Sequence, residues 1–474
     1  MTRTVGQRRG ATAGEKDYRS YSFWLETAGE EIVPRPPLAG PAEADVAILG
    51  AGFTGLWTAY YLLKREPSLR VVVLEAETAG FGASGRNGAW CNAAFPVTPG
   101  ELARRFGEEA ARDLLLEMRG AVEEVGRVSE AEGIDAQYFP GGQLRVARGS
   151  AQLPGIEASY ESMRALGLEK GLRLLDAEET ARRVRITGAE GALYSLHCAT
   201  IHPARLARGL ARAVEKLGGE IFEGTPVTDF ETGANPRLVT EAGDVRARTV
   251  VLAGEAYLAR LRKLHRQVLP IYSLIVLTEP LSEEQWAGIG WEGRECVASN
   301  RYTVDYLSRT PDGRILFGGR GAPYHYGSRI EDEYDLHDPT HELLRRTAKE
   351  WFPALENARF THAWGGPLAM PRDWMPTMSY DPAEGVATAR GYTGQGVATA
   401  NLSGQTLADL ILGRDTNVTR LPTVNHKPRP WEPEPLRWLG ARYVQRGLMR
   451  ADDQAERTGK PPTGETLAER LGKH

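Results

Sequence analysis

The sequence predicts a mixed chain: an α/β part whose largely parallel, doubly wound sheet is assembled from separated segments, and an α+β part built on an antiparallel sheet. Three observations predict it. Residues 45–75 read as strand, glycine turn, helix and second strand. Two further apolar runs, Val250–Ala253 and Val386–Ala389, suit parallel strands buried on both faces. Between them lies a series of strand-like segments capped by a helical stretch, the pattern of a separate sheet with helices on one face.

The first unit opens with Val46 to Leu49, an apolar run without polar alternation. Gly50-Ala51-Gly52-Phe53-Thr54-Gly55 follows, and then Leu56, Ala59, Tyr60 and Leu63 recur at helical spacing. The three glycines serve different ends. Gly50 permits a tight turn, Gly52 lets the backbone approach a pyrophosphate, and Gly55 lets helix and strand pack closely. The N–H groups at the helix start then face phosphates. Val71 to Leu74 runs into Glu75, 20 residues beyond Gly55, followed by Ala76. A carboxylate there hydrogen-bonds ribose hydroxyls and repels a 2′-phosphate, which argues against NADP. A lone glycine triplet is also a turn that binds nothing, but strand, helix, second strand and acid in register favour a dinucleotide.

The remaining elements follow in order. Residues up to about Lys16 read as disordered; Tyr21, Phe23, Trp24 and Leu25 form an aromatic cluster expected on the domain surface, and Pro34-Arg-Pro-Pro37 reads as an extended connector. Gly80 to Gly88 is a glycine-rich loop able to approach a ligand. Glu101 to about Glu132 reads as a covering helix with Leu114, Leu115, Met118, Val122 and Val125 on one face. In the strand Gly141–Ala147, Gln143 and Arg145 share a face that borders either a pocket or water. His202-Pro203 opens an amphipathic helix, which makes His202 a helix-start residue rather than a catalyst. Ile271–Thr278, Ile315–Phe317 and the Asp312-Gly313 turn belong to the second sheet, with a helix at His341–Phe352. Gly391–Gly396 joins the last buried strand to a helix ending at Gly413, and the proline-rich tail past Leu421 leads to a helix near Trp438, Tyr443 and Leu448, a strap across the surface. The expected boundaries are an N-terminal extension 1–40, a cofactor domain from 41–100, 185–265 and 355–415, a second domain from 101–184 and 266–354, and a C-terminal strap 416–474.

Composition narrows the function. A length of 474 residues allows a large core, and a formal charge of −4 with 25% charged residues gives no sign of nucleic acid as a partner. Three widely spaced cysteines, Cys91, Cys198 and Cys296, suggest buried thiols rather than disulfides or a metal site. The N-terminus lacks the apolar core of a signal peptide, and no stretch approaches the roughly 18 apolar residues of a membrane helix. A soluble cytoplasmic protein, with no membrane partner and no predicted oligomeric state, is the expectation.

A nicotinamide dehydrogenase needs one glycine turn; this chain has the first unit, a glycine-arginine loop after Glu75 and a distant third turn, which suits FAD, a ligand spanning the domain. The last helix start, near Gly394 to Val397, can stabilise negative charge on a reduced flavin. The motifs Gly50–Gly55, Gly82–Gly88, His202–Leu206 with Thr225–Val227, and Gly391–Gly396 resemble those of the FAD-dependent D-amino acid oxidase family of amine and amino acid oxidases, from about Tyr21 to Gly413.

The resemblance implies a discontinuous Rossmann-like FAD domain of glutathione-reductase type with a substrate domain. It implies that Gly50, Ala51, Gly52, Phe53, Thr54, Gly55, Glu75 and Ala76 hold the ADP half, and that Gly82, Ala83, Ser84, Arg86, Asn87 and Gly88 meet the flavin end. Val227 resembles the position whose backbone meets adenine; Ala253, Gly254, Gly391, Tyr392 and Thr393 complete the cofactor set, and Gly394, Gln395, Gly396 and Val397 lie along the pyrimidine ring. Thr361–Gly365 lacks the cysteine through which sarcosine oxidases attach FAD, so non-covalent FAD is expected. The implied activity is oxidation of a primary or secondary amine by hydride transfer to flavin N5, giving an imine, with electrons passed to oxygen as hydrogen peroxide or to a carrier. Candidates on the substrate side are Tyr272, Tyr302, Trp364 and Arg372, with Arg320 beside the flavin. Ordinary packing of the aromatics, and pairing of Arg372 with Asp373 or Glu384, are the alternatives. A flavin monooxygenase and a non-catalytic flavoprotein subunit are the competing functions.

Overall fold

In the computed structural model, which describes residues 16–321 and 323–472, two eight-stranded sheets carry the chain. The first has the order Thr377–Asp381, Val386–Arg390, Val245–Leu252, Ala42–Leu49, Val71–Leu74, Glu220–Phe222, with Arg237–Thr240 paired to Val245–Leu252 and Val227–Glu231 paired in turn to Arg237–Thr240. The four pairings from Val386–Arg390 through to the edge strand Glu220–Phe222 are parallel and the others antiparallel. Alternation distributes the residues between two layers. Val46, Ile48, Val71 and Val73 meet the helices Phe53–Arg65, Pro203–Lys216 and Gly396–Ile411, whereas Ala47, Val72 and Leu74 pack towards Leu238 and Leu258. Both faces are covered, which explains the uninterrupted apolar runs.

The second sheet has the order Phe360–Met370, Leu269–Thr278, Ile315–Arg320, Asp305–Arg309, Cys296–Ser299, Gln143–Arg148, Ala189–Ser195, Leu172–Asp176. It is antiparallel except where Cys296–Ser299 runs parallel to Gln143–Arg148. The helix Asp338–Trp351 covers one face through Leu344, Ala348 and Trp351. Ala189–Ser195 and Phe360–Met370, which boundaries at 185 and 355 assign to the cofactor part, are strands of this second sheet. Their apolar runs fit either sheet, and only pairing separates them.

The N-terminal aromatic cluster is a core rather than a surface feature. Trp24 is 2% exposed, and it packs with Phe23, Phe81, Ile275 and Trp364 between the two sheets. The disorder expected up to Lys16 falls, through residue 15, outside the described residues. His202 caps its helix by accepting the Arg205 N–H, and all three cysteines are free and buried. No described helix is long and apolar enough to cross a membrane, and no described cluster of His, Cys, Asp or Glu could hold a metal ion.

Candidate active site

One cavity of about 1490 Å³ runs from the first glycine turn to the second sheet, larger than the roughly 300–1,000 Å³ of an ordinary ligand pocket. All cofactor candidates except Ala51, Gly55 and Gly391 face it. Those three lie behind its wall with structural duties.

At the nucleotide end the strand Ala42–Leu49 stops at Gly50, whose φ of 99° is left-handed; a Cβ there would stand 2.9 Å from the Ala253 carbonyl. The helix Phe53–Arg65 begins at Gly52 with no side-chain cap, so its first N–H groups are available to a ligand, apart from that of Phe53, which donates to Ser84 Oγ at 2.8 Å. Glu75 accepts from the Ala51 N–H at 2.8 Å and the Glu77 N–H at 3.0 Å. Burial pushes its pKa up to about 7 despite those two bonds. A carboxylate has about four acceptor sites. The remaining ones suit ribose hydroxyls.

The loop Gly82–Gly88 is held from behind. The consecutive carbonyls of Gly85, Arg86 and Asn87 accept from Ser22 Oγ (2.8 Å), the Trp364 indole (2.9 Å) and the Trp24 indole (2.8 Å). Arg86 is buried and donates to Asp335 Oδ2 at 2.5 Å and to the Tyr257 hydroxyl at 2.6 Å, and these partners keep it charged against the cost of burial. At the far end, the helix Gly396–Ile411 presents an uncapped N-terminus through Gly394, Gln395, Gly396 and Val397. The Tyr392 hydroxyl bonds Thr54 Oγ1 at 2.8 Å, tying this turn to the first helix.

Glu255 escapes the sequence motifs. It follows Gly254 at a φ of 48°, lines the cavity, and accepts the N–H groups of Ala369 (3.1 Å), Gly391 (3.1 Å) and Tyr392 (3.0 Å). One carboxylate thus joins the first sheet, the second sheet and the last glycine turn. Burial pushes its pKa up to about 7 from the usual 4.5. Between these values the folded, flavin-stripped protein holds a proton that the unfolded chain has lost, so stability falls as pH rises from about 4.5 to about 7. Glu255→Gln should flatten this part of the urea-measured stability profile; an unchanged slope would show that Glu255 is ionised throughout.

The second sheet supplies the opposite wall. Pairing aligns Arg145, Ala298, Tyr306, Gly318 and Ile275 in one row across five strands. Gly318 makes room for Tyr306, since a Cβ there would lie 2.2 Å from the phenol ring. The same ring lies against Gly88 and meets Trp90 edge-on at 6.3 Å. Its hydroxyl bonds Ser273 Oγ at 2.9 Å.

Of the substrate-side candidates, Tyr302 lines the cavity, donating its hydroxyl to Glu469 at 3.3 Å. Tyr272, Trp364 and Arg372 do not. Tyr272 points to the other face of its strand and donates to the Glu331 carbonyl, because the cavity face belongs to Ser273 and Ile275. Trp364 supports the flavin loop from behind, and Arg372 pairs with Glu432 at 3.2 Å over Trp431. Arg320 pairs through its backbone with Ser273, and its side chain lies outside the described residues. Gln143 and Arg145 border the cavity rather than water. The C-terminal helix Leu436–Thr458 also reaches it through Leu448, and its Asp452 accepts the N–H groups of Tyr302 (3.0 Å) and Thr303 (2.9 Å). The tail is therefore part of the cavity wall as well as a strap.

The residues present fit FAD: a buried acid for the ribose, a glycine cradle at one helix N-terminus, and a second uncapped N-terminus at the other end of one continuous cavity. A family model described as DAO, FAD dependent oxidoreductase, matches residues 45–410. Gamma-glutamylputrescine oxidoreductase of Escherichia coli (strain K12) is 30% identical over 86% of this chain and 93% of its own length. Glycine oxidase of Bacillus licheniformis is 24% identical over 78% of this chain and 93% of its own. The crystal structure of glycine oxidase from Geobacillus kaustophilus superposes with a TM-score of 0.68 at 22% identity, covering 81% of this chain and 99% of that one. With its glycine cradles, its buried acid and a family match spanning most of its length, this chain belongs to the DAO family of FAD dependent oxidoreductases.

Proposed function

We propose that the enzyme oxidises a primary or secondary amine to an imine that water hydrolyses, with oxygen as acceptor and hydrogen peroxide as second product. The observation that carries this reading is the continuity of the cavity: the cofactor cradle opens directly onto a pocket walled by Trp90, Tyr306, Ile275 and Leu448. Bound FAD supplies a two-electron acceptor for hydride from the carbon beside the nitrogen. The chain has to position that carbon and to favour the neutral amine, and apolar and aromatic walls disfavour the ammonium form by desolvation. Glu75 would hold the ribose, Gly52 to Thr54 the pyrophosphate, the Gly82–Gly88 loop the flavin and Gly394 to Val397 its pyrimidine edge.

Anaerobic mixing of the yellow protein with a panel of amines tests this. Bleaching by an amine, followed by peroxide on admission of air, is expected; bleaching only by NAD(P)H, or none, would overturn it. Neither a cysteine nor a histidine among the described residues lines the cavity, which supports dissociable FAD. Acid precipitation should leave the protein pellet colourless and the flavin in the supernatant.

A further inference from the structure

Arg145 is a half-buried cation that faces the cavity and has no carboxylate partner among the described residues. It sits on the strand Gln143–Arg148, whose Leu144 and Val146 enter the core while Gln143 and Arg145 face the cavity. Its Nη1 donates to Ser159 Oγ at 3.2 Å, and among the described residues no carboxylate lies within ion-pair distance. Of the other arginines lining the cavity, Arg86 is paired with Asp335, Arg104 with Glu101, and Arg301 with Asp452 and Glu456, while Arg260 and Arg329 are exposed, Arg260 donating to the Ile330 carbonyl. Burial alone pulls the Arg145 pKa below the ordinary arginine value, with no acid to offset it. A partly desolvated charge with no counter-ion is left short of compensation, so a site that keeps one gains when an anion enters.

We propose that Arg145 binds a carboxylate carried by the substrate at the end remote from the oxidised carbon. The proposal rests on the amine-oxidising reading. Position supplies the word remote. Tyr306 lies against Gly88 of the flavin loop, and its strand is separated from that of Arg145 by Cys296–Ser299. Two strand spacings set Arg145 about 10 Å to the side of Tyr306. That backbone offset favours a chain with an amine at one end and a carboxylate at the other over an α-amino acid, whose carboxylate and nitrogen share one carbon. The planar guanidinium offers such a group a bidentate contact, and the amides of Gln143 and Asn300 border the same space.

Steady-state kinetics of the holoenzyme with 6-aminohexanoate and its neutral analogue 6-aminohexanamide test the assignment, alongside calorimetric binding of hexanoate, which cannot be oxidised as an amine. The native enzyme should prefer the acid over the amide at least tenfold in kcat/KM. Arg145→Met, which replaces the charged group by an apolar chain, should lower kcat/KM for the acid about 30-fold, mainly through KM. It should leave the amide within threefold and abolish hexanoate binding. Arg145→Lys should recover part of the preference. No preference in the native enzyme, or equal losses for acid and amide, would overturn the proposal. If no amine reduces the flavin but hexanoate binds in an Arg145-dependent way, the amine reading fails and the carboxylate site stands. If amines reduce it and hexanoate binding ignores Arg145, the reverse holds.

Discussion

Gly55→Ala is expected to purify as a colourless protein that binds added FAD about 100-fold more weakly than the native chain. A Cβ at this position would stand 1.9 Å from the Gly50 carbonyl oxygen and 3.2 Å from Ile48 Cγ2. Neither obstacle is a flexible side-chain end. Restoring even a 3.0 Å contact requires the helix Phe53–Arg65 to retreat by more than 1 Å from the strand that positions it. Overpacking of this kind costs about 1–3 kcal/mol in stability. The larger effect falls on the coenzyme, because the helix N-terminus and the Gly50 turn must converge on the same phosphates; a 100-fold loss of affinity, about 2.7 kcal/mol, is expected. Gly120→Ala is the control. Gly120 lies inside the helix Glu108–Ala131, where an added Cβ would meet nothing within 4 Å, and alanine there should be neutral or stabilising by up to about 1 kcal/mol. Flavin absorbance after purification and titration with FAD check both variants; a yellow Gly55→Ala protein would refute the packing argument.

Asp335→Ala should destabilise the flavin-loaded protein by about 3–5 kcal/mol, because it strands the Arg86 guanidinium in the interior. Both side chains of this pair are 1% exposed. Tyr257 remains as an acceptor but carries no charge at neutral pH, since burial raises its pKa. The double variant Arg86→Met with Asp335→Ala should recover part of the loss, as a buried ion pair replaced by apolar groups is often close to neutral. Urea denaturation of the four proteins gives the coupling directly, and additive losses would show that the two residues act independently.

The cofactor half of the site is legible in the sequence because its signals are local. Gly50, Gly52, Gly55 and Glu75 lie within one strand-helix-strand unit, where spacing along the chain fixes position in space. The opposite wall is not. Tyr272 and Trp364 can be assigned to strands, but Leu269–Thr278 and Phe360–Met370 are buried on both faces, so no polar alternation reveals which side chains face the cavity. Tyr306 and Arg145 reach it only through cross-strand register between segments far apart in sequence. Alternation does separate Arg145 from Leu144 and Val146, which is why the choice between pocket and water can be framed from the residues alone. Glu255 is a single acid after an apolar strand, and nothing local distinguishes it from an exposed strand-end residue. Trp24 misleads because an aromatic run before a proline connector looks peripheral until the glycine loop is folded onto it.

The terminal helix Leu436–Thr458 lies beyond the 45–410 span shared with the family, yet its Leu448 touches the cavity and its Asp452 fastens the Tyr302–Thr303 turn. Part of the cavity wall is therefore carried on polypeptide outside the length shared with the family. Exchanging residues 436–472 is expected to reshape the wall around Tyr302 while leaving the glycine cradles untouched.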